Sequence, residues 1–416
     1  MNLKIAVLPG DGIGPEVTEQ AVKVLDAIAQ NFNHKFEYTY ADVGAIAIDN
    51  HNDPLPNSTL ALCKSTDAIL FGAIGDPKYD NNPSAKVRPE QGLLKLRKEL
   101  ELFANIRPVK AYDRLLKKSP LKKSIIKGTD ISIYRELTGG LYFGEKKISE
   151  DGNMASDLCT YTREEIERIT HLAFKAAQKR NKKVTLVDKA NVLESSRLWR
   201  KVGTEIGKEY SDVELAFLFV DNAAMQMILN PTQFDVILTE NLFGDIISDE
   251  ASVIGGSIGL LASASVGKKY AMFEPIHGSY PQATGKGIAN PIASILSAAM
   301  LLDHFDLKEE ADMIRKAVDK SLHLQITTPD LNQKYDNVTT SKVGDFIEDF
   351  INSIIAGFTG INKVNDFLIR EVVFELIGCR STKTLKILNS PTTWNASFKC
   401  FLPTIVFTIV IKQLDL

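Results

Sequence analysis

Short runs dense in Val, Ile, Leu and Phe recur along the chain and alternate with longer stretches whose apolar residues fall three and four apart. The runs at 4–8, 68–71, 184–187, 215–220 and 236–238 have the length and β-branched content of buried strands. The spacing between them predicts helices over 16–30, 92–102, 163–179, 195–207 and 242–254, each with one apolar face. Strand and helix take turns, and a chain that crosses over a helix between strands builds a mostly parallel sheet. The fold class is α/β.

The pattern fades after about residue 350. The tail, 356–416, has weak periodicity and does not continue the preceding architecture. Its run at 401–411 is broken by Pro403 and is far shorter than the ~20 apolar residues that span a bilayer, so no membrane anchor is expected.

Composition narrows the class. A chain of 416 residues, 44% hydrophobic and 24% charged, is ordinarily globular and long enough for one large or two medium domains. A net charge of -3 with mixed signs points to small molecules as partners, not to nucleic acid or a membrane. Cys63, Cys159, Cys379 and Cys400 show no CxxC pair and no disulfide-framework density, which fits reduced thiols in a cytoplasm. The first residues lack a basic segment followed by a long apolar one, so no signal peptide is expected.

The glycine-rich turn Leu8-Pro9-Gly10-Asp11-Gly12-Ile13-Gly14-Pro15 is close to a dinucleotide fingerprint, but Pro15 stands where the third glycine is needed. A standard Rossmann site is therefore rejected. Proline at a first helical turn followed by Glu16 is good helix-start chemistry, so this is a structural loop at the edge of a site.

The segment 239–250 is richer. Asp245 and Asp249 lie four apart on an expected helix, so their carboxylates share a face and repel unless a cation sits between them. Hard oxygen ligands of this kind suit Mg²⁺ or Mn²⁺. A solvated acidic face is the bland reading of an isolated D-x-x-x-D, but Leu242, Phe243, Ile246 and Ile247 around the pair indicate a packed helix. Arg97, Arg107 and Arg135 sit beside apolar or glycine-rich segments, and three guanidinium forks could hold a diacid. Each alone is more often a surface ion-pair partner. Lys189 closes an expected strand at the end where α/β sites are built, and burial with a nearby cation makes such a lysine a usable base. Asp221 follows another strand, as helix cap or metal ligand. The loop 274–291 is dense in glycine and small residues, which lets backbone approach a nucleotide closely. His277 within it is a poor zinc candidate, since the histidines have no metal spacing.

Together these motifs resemble the β-decarboxylating dehydrogenases of the isocitrate/isopropylmalate dehydrogenase family, over roughly residues 1–355. The resemblance implies a two-domain α/β fold with a large, mostly parallel mixed sheet that is not a Rossmann fold. It implies a discontinuous NAD-binding domain, 1–102 plus 256–355, and a dimerisation and metal/substrate domain, 103–255, with 356–416 an appendage. It further implies a homodimer with active sites shared between subunits, and NAD-dependent, Mg²⁺- or Mn²⁺-dependent oxidative decarboxylation of a 2-hydroxy diacid.

By the same resemblance, Arg97, Arg107 and Arg135 clamp the substrate carboxylates, and Asp245 and Asp249 join Asp221 of the other subunit around the metal. Lys189 and Asp221 act in trans, and Tyr142 is the acid that protonates the decarboxylated carbon. Val192 joins the substrate contacts; Glu90, Ile276, His277, Gly278, Ser279, Gln282, Ala289 and Asn290 line the NAD site. Leu93 and Leu94 stand where isocitrate-specific relatives carry a hydroxyl, which favours the isopropyl group of 3-isopropylmalate. Relatives acting on tartrate, homoisocitrate or isocitrate, and a non-catalytic regulatory homologue, are the competing readings. Two departures stand out: Gln282 replaces the aspartate usual in NAD-preferring members, and Asp76 stands where glycine is common.

Overall fold

The computed structural model describes residues 1–80, 87–331 and 338–359. Contacts divide the chain into a unit of Met1–Asn352 and a unit of Ser353–Leu416. The tail expected to be an appendage, 356–416, lies almost wholly outside the described residues, as do Cys379 and Cys400.

The first unit carries strands β1 (Asn2–Gly10), β2 (Lys35–Tyr40), β3 (Ala68–Ala73), β4 (Ala104–Lys110), β5 (Asp130–Glu136), β6 (Lys146–Ile148), β7 (Ala155–Asp157), β8 (Lys183–Asp188), β9 (Glu214–Phe219), β10 (Val236–Thr239), β11 (Ala262–Val266) and β12 (Ala271–Pro275). Ten of them form one sheet in the order β2-β1-β3-β12-β11-β4-β5-β10-β8-β9, and β6 and β7 pair separately. One wing, β2-β1-β3-β12, is parallel. So is the other, β5-β10-β8-β9. The antiparallel strands β11 and β4 join the wings. The sheet is thus the large mixed one expected.

All five sequence-predicted strands are present; four extend one or a few residues past the predicted ends, and in the fifth Val220 opens the helix Val220–Leu229 instead of ending β9. The five predicted helices are Gly14–Phe32, Pro89–Glu99, Arg163–Gln178, Glu194–Gly207 and Asn241–Gly255. The second begins earlier than its apolar spacing indicates, because Pro89 occupies its first turn and Arg88 and Gln91 make reciprocal start contacts. Helix Arg163–Gln178 begins on a capping box, with the Glu165 carboxylate accepting the Thr162 N–H at 2.7 Å.

Each wing packs its own core. Leu8, Leu55, Ile69, Phe71, Leu96 and Met272 are buried together under the first. Ile131, Ile133, Val187, Ile237, Met227 and Ile247 are buried together beside the second. Full burial of each such side chain is worth about 1.5–3 kcal/mol. Among the described residues no helix is long and apolar enough to cross a membrane.

The loop after β1 is an intramolecular joint. Gly10 has φ +69°, and a Cβ there would lie 2.0 Å from the Ala73 carbonyl oxygen. The buried Asp11 carboxylate accepts N–H groups from Ala45 at 2.8 Å and from Ile46 and Gly75 at 2.9 Å, and Ile13 N–H donates to the Ser279 carbonyl at 2.7 Å. Asp11 therefore ties three loops together, and the glycines serve close backbone approach, the structural role the proline-containing motif indicates.

Candidate active site

Side chains on β4 alternate across the sheet, so Asn105 and Arg107 face the same side, toward the helix Asn241–Gly255. Arg107 Nη1 donates to Ser248 Oγ at 2.7 Å and to Asp249 Oδ1 at 3.0 Å, while Asn105 Oδ1 accepts its Nε at 2.7 Å. On the neighbouring strand Arg135 is almost fully buried. Its Nε donates to the Asn241 carbonyl at 2.9 Å, Nη2 to Asn241 Oδ1 at 2.9 Å, and Nη1 to Asp245 Oδ1 at 2.5 Å. The close seat of Arg135 needs Gly244, where a Cβ would come within 2.6 Å of the Arg135 stem.

Asp245 is the hub. Its second oxygen accepts the Tyr142 hydroxyl at 2.9 Å, and the Tyr142 ring lies 5.7 Å from the Arg135 guanidinium. Burial pulls the Arg135 pKa down to about 10 against the attraction of Asp245. Partial burial, and then the hydrogen bond to Asp245, push the Tyr142 phenol up, so it holds its proton. Arg97 enters from the helix Pro89–Glu99 and donates to Glu274 Oε1 at 2.8 Å. Glu274 also accepts from Ser265 Oγ at 3.3 Å, and Asn105 Nδ2 donates to the same hydroxyl oxygen at 3.1 Å, so a polar chain connects Arg97 to Arg107.

Lys189 and Asp221 form a separate pair. Lys189 follows β8 and donates to Asp221 Oδ1 at 2.6 Å, which holds the Asp221 carboxyl below its usual range. Asp221 lies in the first turn of Val220–Leu229, whose flanking cap position is Phe219, so it is not the N-cap. Asp188 is buried and gripped by Arg200 through two bonds of 2.8 Å. One chain thus gathers Asp245 and Asp249 around the arginines and leaves Asp221 with Lys189. Among the described residues no group of three or more His, Cys, Asp or Glu is arranged to hold a metal. Val192 is 61% exposed in the turn after Lys189.

The expected nucleotide residues fall mostly on the loops beside Asp11. A Cβ on Gly75 would sit 3.3 Å from both Glu90 Oε1 and Ser279 Oγ, so these two side chains border one spot. Ile276 N–H donates to the Leu261 carbonyl at 3.0 Å. His277 packs its ring with Nδ1 3.0 Å from the Gly278 carbonyl and a buried, unpartnered Nε2, and desolvation lowers its pKa. Gly278 and Gln282 are exposed, whereas Ala289 is buried against Ile13 and Val17. Asn290 Oδ1 accepts the Ile292 N–H at 3.0 Å at the start of Ile292–His304, and its Nδ2 donates to Asp330 at 3.1 Å. Leu93 packs against the first core, and Leu94 on the same helix is 48% exposed.

Several site residues escaped the sequence reading. Asn105, Asn241, Ser248 and Glu274 hold the arginines, and their signal was a polar residue in an otherwise apolar strand or helix. Glu240 is the sharpest omission. It is buried, Oε2 has no hydrogen-bond partner, and desolvation followed by repulsion from Asp188 pushes its pKa up to about 7.

The sequence profile of the isocitrate/isopropylmalate dehydrogenases matches residues 4–347. The chain is 55% identical over 352 residues to a 3-isopropylmalate dehydrogenase of Bacteroides fragilis, covering 84% of this chain and 99% of that protein. It is 54% identical over 332 residues to one of Aquifex aeolicus, covering 79% and 91%. Among solved structures, an isocitrate dehydrogenase of Methylococcus capsulatus is similar with a TM-score of 0.74 at 35% identity, covering 84% of this chain and 99% of that one. A β-decarboxylating dehydrogenase of Thermococcus kodakarensis is similar with a TM-score of 0.72 at 37% identity, covering 85% and 97%.

Proposed function

The chain belongs to the isocitrate/isopropylmalate dehydrogenase family, and on that premise we propose that it converts (2R,3S)-3-isopropylmalate and NAD to 4-methyl-2-oxopentanoate, CO₂ and NADH, the reaction that serves leucine biosynthesis. It is an oxidoreductase. The observation that carries the reading is the convergence of Arg107 and Arg135 on Asp245, with Asp249 and Tyr142 at the same place. Cations that recognise carboxylates stand beside carboxylates that recognise a cation, as a metal-bridged diacid requires.

Arg97, Arg107 and Arg135 bind the two carboxylates of the substrate and orient C2 and C3. Lys189 takes the proton of the C2 hydroxyl as the C2 hydrogen leaves with its electron pair. The bond from C3 to its carboxylate then breaks, CO₂ departs, and the electron pair stays at C3. Tyr142, whose phenol is held protonated, delivers a proton to C3. Leu93 and Leu94 offer an apolar wall to the isopropyl group, where a third carboxylate would lose hydration without gaining a partner.

The donor sets suit the two groups the reaction needs. Asp249 and Asp221 keep side chains 70% and 68% exposed, and Asp245 lies one helical turn from Asp249, so three hard oxygen donors are available to Mg²⁺ or Mn²⁺. NAD fits the loops carrying Glu90, Ile276, His277, Gly278, Ser279, Gln282, Ala289 and Asn290, where backbone and small side chains permit close approach. When bound, NAD supplies the hydride acceptor and the divalent cation supplies positive charge beside the C2 oxygen.

Lys189 and Asp221 come to the arginines from a second copy of the chain. Exposed Met225 and Leu229 on the helix begun by Asp221, and exposed Ile246 and Val253 on the helix bearing Asp245, give an apolar surface that a homodimer would cover. The proposed two-domain division, 1–102 plus 256–355 against 103–255, lies, but for residues 353–355, within the single unit Met1–Asn352, and the separate cores of the two wings support it. Production of NADH from 3-isopropylmalate by the purified chain tests the assignment, and absence of turnover with that acid refutes it.

A further inference from the structure

β4 and β5 carry the substrate arginines on one face, and their alternate residues line a different space. Ile106, Pro108 and Lys110 of β4, with Ser132 and Tyr134 of β5, border a cavity of about 670 Å³. Phe273, Leu296 and Met300 give it apolar wall, beside His304, Asp303, Asp312 and Arg315. Since neighbouring side chains of a strand point to opposite faces, this cavity lies across the sheet from Arg107 and Arg135 and is separate from the site above.

The cavity does not end there. It shares Lys110, Tyr112, Asp130 and Asp319 with a second hollow of about 500 Å³. That hollow shares Asp113, Arg114, Leu322 and His323 with a third of about 350 Å³, which Lys117, Lys118 and Lys123 also line. The three adjoin as one groove, with Phe273, Leu296 and Met300 in its first part and Arg114, Lys117, Lys118 and Lys123 in its last. Along it, Asp130 is paired with Arg180, and Asp303 and Asp312 with Arg315. At the basic end Lys117, Lys118 and Lys123 make no ion pair with any described carboxylate, and Asp113 is the only acid among the described residues that line this hollow. In a chain of net charge -3, an uncompensated cationic end on a groove with apolar wall is a charge pattern seeking its complement.

We propose that this groove binds an elongated amphiphilic anion, with a diphosphate-like head at Arg114, Lys117, Lys118 and Lys123 and an apolar chain reaching Phe273 and Met300. The head matches several cations that lack counter-ions, and the chain matches the apolar wall. Neither half alone uses the whole groove.

Geranyl diphosphate is the probe, titrated into the full-length protein by calorimetry, with inorganic pyrophosphate and geraniol as the two halves. Saturable binding at one site per chain is expected, at least tenfold tighter than pyrophosphate. The double variant Lys117→Glu/Lys118→Glu should weaken it at least tenfold, while Lys201→Glu, a charge change elsewhere on the surface, should leave it unaltered. Met300→Trp, which fills the space beside the apolar wall, should reduce the affinity to that of pyrophosphate while pyrophosphate itself still binds. Circular dichroism and dehydrogenase activity of the variants confirm that they fold. Absence of saturable binding, binding no tighter than pyrophosphate, or binding indifferent to Lys117, Lys118 and Met300 overturns the proposal. The readout is binding, so it stands or falls apart from the substrate assignment.

Discussion

The Asp245 carboxylate lies between Arg135 and Tyr142, one oxygen 2.5 Å from the guanidinium and the other accepting the phenol at 2.9 Å. A single side chain thus neutralises a buried arginine and fixes the position of the proposed acid. Asp245→Asn should lower kcat/KM by about 10²–10³-fold, because it removes a charge from both the cation site and the clamp. It should also cost about 1–3 kcal/mol of stability, since Arg135 then lacks its counter-ion. Steady-state kinetics and urea unfolding measure the two effects, and unchanged kinetics would count against the site.

Tyr142→Phe keeps the ring against Arg135 and removes only the hydroxyl that carries the proton and bonds Asp245. Loss of one general acid is expected to reduce turnover by about 10²–10⁴-fold with a modest change in KM. A variant with wild-type kcat would remove Tyr142 from the chemistry.

The separation of Lys189 and Asp221 from Asp245 within one chain makes a sharper prediction. Lys189→Ala and Asp245→Asn chains, each inactive alone, should recover about a quarter of wild-type activity when unfolded and refolded together in equal amounts, since half the dimers are hybrids with one intact site each. No recovery in a mixture shown to contain hybrids would place Lys189 in cis.

Glu240 predicts a pH effect on stability. Its folded pKa is raised to about 7 by burial, so the folded state holds a proton that the unfolded chain gives up near its ordinary carboxyl range. This group therefore favours folding at low pH, and its contribution is lost as pH rises through that window. Glu240→Gln, which cannot ionise, should be more stable than wild type above pH 7 by about 3 kcal/mol, with the gap closing toward pH 4.5. Urea midpoints across that range measure it, and a gap that does not change with pH contradicts the assignment.

Much of the fold was legible because β1, β3, β8, β9 and β10, five strands of the parallel wings, are apolar runs short enough to leave one choice of element. β4, β5, β11 and β12 were harder to read. They carry Asn105, Arg107, Arg135, Ser263, Ser265 and Glu274 at inward positions, and those polar residues, held in one network, interrupt the strand signal. The same interruption marks the site. Asp245, Asp249 and the arginines could be nominated from charge type and spacing, whereas their partners Asn241 and Ser248 are defined by tertiary distance alone. Pro15 was informative for a different reason: it excludes the nucleotide fingerprint, and the loop holding it turns out to be tied by Asp11 to Ala45, Ile46 and Gly75.

The most direct test is NAD reduction by the purified protein with 3-isopropylmalate, isocitrate, homoisocitrate and tartrate, each with Mg²⁺ and after chelation. The account predicts rapid NADH formation with 3-isopropylmalate, far slower formation with the other three acids, and near-complete loss on chelation that Mg²⁺ or Mn²⁺ restores. Preference for isocitrate, or turnover indifferent to chelation, would contradict it.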